Sequence, residues 1–121
     1  MLDRIPILSV GSALARHAEA RTAVTARNLA NADTPGWRAL RVASFEDDGG
    51  LGMRGTRPGH AVAGALPPVT TTLAATSPNG NGVTVEHEMV EAARARADHD
   101  MALGAWKGAL DIIRTSIGRG R

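Results

Sequence analysis

The alternation of apolar and polar positions divides the chain into three stretches. From about Ser9 to Asp33, Val10, Leu14, His17, Arg21, Val24, Asn28 and Asn31 recur at 4-3 spacing, flanked by Ala15, Ala18, Thr22, Thr25, Leu29 and Ala32. That period predicts one helix, about 35 Å long, with Ser9 or Ser12 as its N-cap. The first stripe turns polar as it proceeds and the second consists mostly of small groups. Such a seam lets another helix approach closely but is weak by itself.

The helix should stop by Asp33, because Pro35 removes a backbone donor and pushes Thr34 out of the α region. Thr34-Pro35-Gly36-Trp37 has the residues of a type II turn, with Gly supplying positive φ at its third position. Asn28 and Asn31, three apart, share a face just before that turn.

Beyond the turn, Leu40, Val42 and Phe45 suggest a short extended piece ending in the acidic run Glu46-Asp47-Asp48. Gly49, Gly50, Gly52, Gly55, Gly59, Gly64, Gly80 and Gly82 then crowd into one region, with Pro58, Pro67, Pro68 and Pro78 among them. This composition predicts a loop with weak strands at about Met53–Thr56 and Val69–Leu73. A loop of that length is expected to be mobile or ordered by partners.

Helical period returns at Val83. Thr84 can cap, Glu86, Glu88 and Glu91 put negative charge in the first turns, and Arg114, Arg119 and Arg121 follow at the far end. This polarity suits the helix dipole. Val85, Met89, Ala92, Arg96, His99, Leu103, Trp106, Leu110, Ile113 and Ile117 hold 4-3 spacing, and the last five are large and apolar. Gly104 and Gly108 lie four apart, each costing about 1 kcal/mol of helix propensity. They serve close helix–helix approach or are merely tolerated.

The pattern therefore predicts a mainly α chain. Long N- and C-terminal helices pair as an antiparallel, coiled-coil-like hairpin, joined by an irregular Gly/Pro-rich middle with at most short β segments. The expected parts are 1–37, helix and turn; 38–82, irregular; and 83–121, helix, with both termini forming one discontinuous domain. Leu14, Val24, Met89, Leu103, Trp106, Leu110, Ile113 and Ile117 are the expected helix-packing and subunit contacts.

Composition supports a chain that finishes burying its apolar surface against neighbours. Of 121 residues 43% are hydrophobic, but only two Trp and one Phe supply aromatic bulk. Net charge is +2 and the pI of about 10.4 reflects arginines that are spread out and mixed with acids, which argues against nucleic-acid binding. There is no Cys, so disulfides and thiolate metal sites are excluded. No stretch has the apolar length of a membrane span. Met1-Leu2-Asp3-Arg4-Ile5-Pro6 lacks the basic region and unbroken apolar run of a cleaved secretory signal, so export would need another route.

Candidate chemistry is sparse. His87-Glu88-Met89-Val90-Glu91 differs from the zinc-protease helix motif, which needs His where Glu91 stands. His87 with Glu91, and the run Asp98-His99-Asp100, read as solvated helix faces. No phosphate-binding loop or nucleophile elbow is present. No catalysis, cofactor or metal is expected.

Asn28-Leu29-Ala30-Asn31-Ala32-Asp33-Thr34-Pro35-Gly36-Trp37 closely resembles the N-terminal signature of bacterial flagellar axial proteins, the rod, hook and hook-associated group, usually N-I-A-N-x-x-T-P-G-Y. Met53-Arg54-Gly55-Thr56-Arg57-Pro58-Gly59-His60 looks like the threonine-and-histidine loop of the small rod proteins. Asn79-Gly80-Asn81-Gly82-Val83-Thr84-Val85-Glu86-His87-Glu88-Met89 is similar to their entry into the C-terminal helix. On this resemblance, a chain of this length is expected to lack the extra domain of distal rod or hook proteins. Its ending, Ile113-Arg114-Thr115-Ser116-Ile117-Gly118-Arg119-Gly120-Arg121, resembles one of two sister proximal rod proteins. The other usually carries S-R-A-Y-E-A-N where this chain has Arg94-Ala95-Arg96-Ala97-Asp98-His99-Asp100.

The resemblance implies a structural, non-enzymatic role in the periplasm-spanning rod of the flagellar basal body, reached through flagellum-specific type III export. Implied partners are copies of the chain, other rod subunits, basal adaptor and membrane-ring components, and the export apparatus. Asn28, Leu29, Asn31, Thr34, Pro35, Gly36 and Trp37 would form an assembly motif. The rival class is a soluble binding module, such as a helical-hairpin adaptor or chaperone.

Overall fold

The computed structural model of the chain describes residues 6–45, 69–71 and 78–118. Two helices dominate, α1 over Pro6–Ala30 and α2 over Val85–Gly118. Between them lie two short strands, β1 over Leu40–Val42 and β2 over Val69–Thr71. The fold is the expected helical hairpin. Asn28, near the end of α1, meets Glu88, near the start of α2, while Gly11 lies against Ala102 and Trp106, so the helices run antiparallel.

α1 begins earlier than its pattern suggests. Proline is well placed in a first turn, where its missing N–H has no helical partner to lose. Ser9 and Ser12 consequently lie inside the helix, and the Ser12 hydroxyl donates back to the Ser9 carbonyl (2.9 Å) instead of capping. At the other end Asn31 N–H reaches back to the Arg27 and Asn28 carbonyls, and the chain leaves the helix there. α2 begins after Thr84, whose carbonyl accepts the first helical bond from Glu88 N–H (3.0 Å).

The seam within the chain is drawn from a different face of α2 than the stripe expected for helix packing and subunit contacts. The buried residues of α2 are Glu88, Ala95, Ala102 and Ala109, spaced by sevens. Facing them on α1, Leu8, Ala18, Val24, Thr25 and Asn28 are buried. Within the chain, therefore, α2 turns its alanines to α1 and not the larger stripe. Met89 is 63% exposed, Leu103 is half exposed and Ile117 is 76% exposed, while Leu14, Leu110 and Ile113 are half-buried. Small side chains allow the backbones to approach, and one helix face cannot turn both stripes inward. Of the contacts expected from spacing, Val24 is buried, and Trp106 lays its Cβ and Cδ1 within 4 Å of the site a Gly11 Cβ would occupy. Among the described residues nothing lies within 4 Å of a Cβ at Gly104 or Gly108, and the close approach falls at Gly11 instead.

β1 and β2 pair antiparallel, with Leu40 opposite Thr71, Arg41 opposite Thr70 and Val42 opposite Val69. A three-residue pair is marginal alone, and β1 is held by α1 through the contacts described below. The expected strand at Met53–Thr56, the Met53–His60 segment, the acidic run after Phe45 and the basic residues Arg119 and Arg121 lie outside the described residues.

Candidate assembly joint

The end of the hairpin where α1 hands the chain to β1 holds the largest fully buried side chains among the described residues, Glu88, Asn28 and Asn81. Asn28, on the inward face of α1, is 0% exposed. Its Nδ2 donates to the Leu40 carbonyl (2.9 Å) and to Glu88 Oε2 (3.1 Å). Its Oδ1 accepts the Leu40 N–H (2.8 Å) and, more weakly, the Trp37 indole N–H (3.5 Å). A carboxamide has two donors and two lone pairs, and all four are used. The side chain thus treats Leu40 as a neighbouring strand would, taking both its backbone donor and its acceptor.

Glu88 projects from the first turns of α2 into the same cluster and is fully buried. Its second oxygen accepts from Arg41 Nη1 (2.7 Å), and the same Nη1 donates to the Leu40 carbonyl (3.0 Å). A buried carboxylate is costly unless paired and hydrogen-bonded, and here α1 and β1 supply both needs.

Two glycine turns close the joint. The Trp37 N–H bonds to the Thr34 carbonyl (3.2 Å) and Gly36 has φ of 73°, the geometry that the Pro-Gly pair implies. Gly80, with φ of 77°, lies against it, a Cβ there falling 3.5 Å from Gly36 Cα. Gly36 N–H donates to the Asn79 carbonyl (3.1 Å), and Gly82 N–H to the Trp37 carbonyl (2.9 Å). Asn81 Nδ2 reaches the carbonyls of Asn31 (3.2 Å), Ala32 and Thr34 (3.1 Å), while its Oδ1 takes the Val83 N–H (2.8 Å). Carbonyls left without helical partners where α1 ends are thereby met by a residue fifty positions away in sequence. Asn31 adds a local bond from Nδ2 to the Arg27 carbonyl (2.8 Å) and accepts from the Thr34 hydroxyl (3.3 Å).

Further along the hairpin, Arg21 bridges the helices. It donates to Glu91 Oε2 (3.0 Å) and to Asp98 Oδ2, and Arg94 also holds Glu91 (2.8 Å). Burial pushes the Glu91 carboxyl up, but the two guanidinium groups outweigh it and leave it below the ordinary carboxylate value. Glu91 and Asp98 therefore belong to an inter-helix clasp, not to the solvated faces expected from spacing. Beside the clasp is an open hollow of about 470 Å³, bordered by His17, Val42 and Phe45. His17 Nε2 bonds to the Ala43 carbonyl (2.7 Å) and its ring meets Phe45 edge-on at 5.6 Å.

Of the expected motif, Asn28 is buried, Asn31 and Trp37 are half-buried, and Leu29, Thr34, Pro35 and Gly36 are exposed. The joint gathers Asn28, Asn31, Thr34, Gly36 and Trp37, whereas the outer α2 positions lie elsewhere. Spacing did not single out Glu88, Asn81 and Arg41, and it gave Arg21 only as one member of the α1 stripe. Glu88 resembled the other acids of a helix first turn, and its burial depends on a partner sixty residues away. Among the described residues, no group of three or more His, Asp or Glu could hold a metal ion, and no helix is long and apolar enough to cross a membrane. The polar atoms of Asn28 are spent internally, so this side chain orients chain segments.

No curated protein and no solved structure matches the chain. Residues 7–38, which are nearly all of α1 together with the turn through Trp37, match the family model described as the flagella basal body rod protein.

Proposed function

We propose that the chain is a structural subunit of the bacterial flagellar basal-body rod, and within it the proximal rod protein FlgB. In this role it assembles helically with copies of itself and with other rod proteins and transmits torque for motility. The observation that carries the reading is the family match over residues 7–38, the segment that forms α1 and one side of the joint. A fold whose large apolar residues on α2 face outward supports an assembling subunit over a self-sufficient monomer. The expected role involves no catalysis or cofactor. Type III export, and contact with the basal adaptor and membrane-ring components, follow from the family role.

Within the family, the chain ending favours FlgB, and the missing S-R-A-Y-E-A-N phrase disfavours its sister FlgC. Leu110→Asp and Ile113→Asp test the reading in the source bacterium. The rod role predicts loss of swimming and of external filaments, with the variants still produced. Intact swimming in both variants would point to a helical-hairpin adaptor or chaperone instead. Pro35→Ala and Asn31→Ala are expected to impair rod assembly more than export, measured as rods in isolated basal bodies against secreted subunit. Position-specific cross-linking in those basal bodies separates FlgB from FlgC by the neighbours captured.

A further inference from the structure

We infer that the buried Glu88 carboxylate is a register key, which selects one of two heptad-related alignments of α2 on α1. The inference concerns the hairpin itself and goes beyond the rod reading without depending on it.

Most of the seam does not define its own register. Glu88, Ala95, Ala102 and Ala109 are the buried positions of α2, each seven from the next, and Ser116 follows at the same interval. Sliding α2 by seven residues puts Ala95 in the place of Glu88, Ala102 in that of Ala95, Ala109 in that of Ala102, and Ser116 in that of Ala109. Every side chain arriving at the seam is small, so packing tolerates the move. One half of the clasp repeats as well, while Ala105 replaces the other carboxylate. Glu91 and Asp98 are seven apart, and after the slide Asp98 stands where Glu91 met Arg21. The displacement is about 10.5 Å at 1.5 Å per residue.

The Glu88 cluster does not repeat. With Ala95 in its place, the Asn28 Nδ2 donor and the Arg41 guanidinium lose the oxygens they meet at 3.1 and 2.7 Å. A buried polar group that loses its partner is penalised heavily, which is how one polar position can define the register of an otherwise permissive helix pair. The chain can supply the slack. Asn81 anchors the segment before α2, while Val85, Met89 and Val90 are exposed, so Glu88 is the main tertiary tie of the first two turns. Unwinding those turns also frees Glu91 from Arg21, whose place Asp98 takes, releases the residues that the slide requires and changes how far residues 110–118 project.

The absence of cysteine makes the register readable by disulfide trapping in the full chain. A Cβ at Gly11 lies 3.8 Å from Trp106 Cβ, inside the range a disulfide needs. Gly11→Cys with Trp106→Cys reports the observed register, and Gly11→Cys with Ile113→Cys reports the slid one. With Glu88 intact, the first pair should close and the second stay open. Glu88→Ala should let the second pair close as well. Glu88→Ala combined with Ala95→Glu moves the carboxylate by one heptad, and there the second pair should dominate while the first is lost. Continued dominance of the first pair in that combined variant overturns the inference. So does loss of helical circular dichroism in both variants, because sliding keeps most of both helices whereas unfolding does not.

Discussion

The two ends of the hairpin are built on opposite principles. At the joint, Asn28, Glu88 and Asn81 are fully buried polar side chains whose hydrogen bonds tie α1, β1, the two glycine turns and the start of α2 together. At the far end the inward contacts are Leu8, Gly11, Trp106 and Ala109, and large apolar groups face out, Ile112 at 70% exposure and Ile117 at 76%. Hydrogen bonds are directional and costly to leave half-made, so the joint specifies one geometry. Apolar contact is non-directional and grows with area, so the far end can add stability by meeting another surface. Specificity and adhesion are thus placed at opposite ends of a seam made largely of alanine.

The sharpest way to break this contrast is Asn28→Asp, which keeps shape but replaces the Nδ2 donor with an acceptor facing the Leu40 carbonyl and Glu88. A loss of about 3–5 kcal/mol is expected, the range for disrupting a buried charged pairing, measured by urea denaturation of the purified chain. A loss no larger than a surface substitution would mean the joint does not hold the fold. Asn81→Ala should cost about 1–3 kcal/mol, because it strips a donor from three carbonyls near the end of α1. Its effect should appear first as faster amide exchange at Thr34–Trp37 and Gly82.

The Arg21 clasp lies between the two extremes, and pH resolves it. Glu91 is held below its unfolded carboxylate value, so the unfolded state takes up the proton first. Its contribution is complete above the ordinary carboxylate pKa and drains away as pH falls through the lowered folded value. Glu91→Gln should cost about 1 kcal/mol near neutrality, and its difference from the native chain should shrink on acidification across that window. A difference that does not vary with pH would remove the clasp from the account. The smallest effect is expected at the adhesive end. Ile112→Ser with Ile117→Ser should change the stability of the isolated chain by within about 0.5 kcal/mol per site, since both already face solvent. If the chain is the rod subunit proposed above, the same pair should abolish rod assembly, scored by swimming and by isolated basal bodies. A large loss of stability in the isolated chain would show that these groups belong to the fold itself.

Much of the architecture was legible from local pattern. The 4-3 spacing located both helices, Pro35-Gly36 located the turn after α1, and Leu40 with Val42 located β1. The start of α1 lies before Ser9 and Ser12, which are good caps in isolation, because Pro6 can occupy an earlier first turn. The alanine seam was not legible for a related reason. Size makes Leu103 and Ile117 the evident apolar stripe of α2, but the face turned to α1 must also carry Glu88 to Asn28 and lay Trp106 against Gly11. Those demands rotate the alanines inward.

The sequence by itself determined the elements, because helical period, proline geometry and glycine turns act over a few residues. It also contained Asn28–Trp37, recognisable from neighbouring residues alone. Only the tertiary structure decided that Asn28 completes Leu40, that Glu88 is buried between Asn28 and Arg41, and that Asn81 meets the carbonyls beyond α1. The physical reason is that a polar side chain carries the same local signature whether water or a distant partner satisfies it. Burial, a property of the assembled chain, turns an ordinary Glu or Asn into a constraint on the whole hairpin.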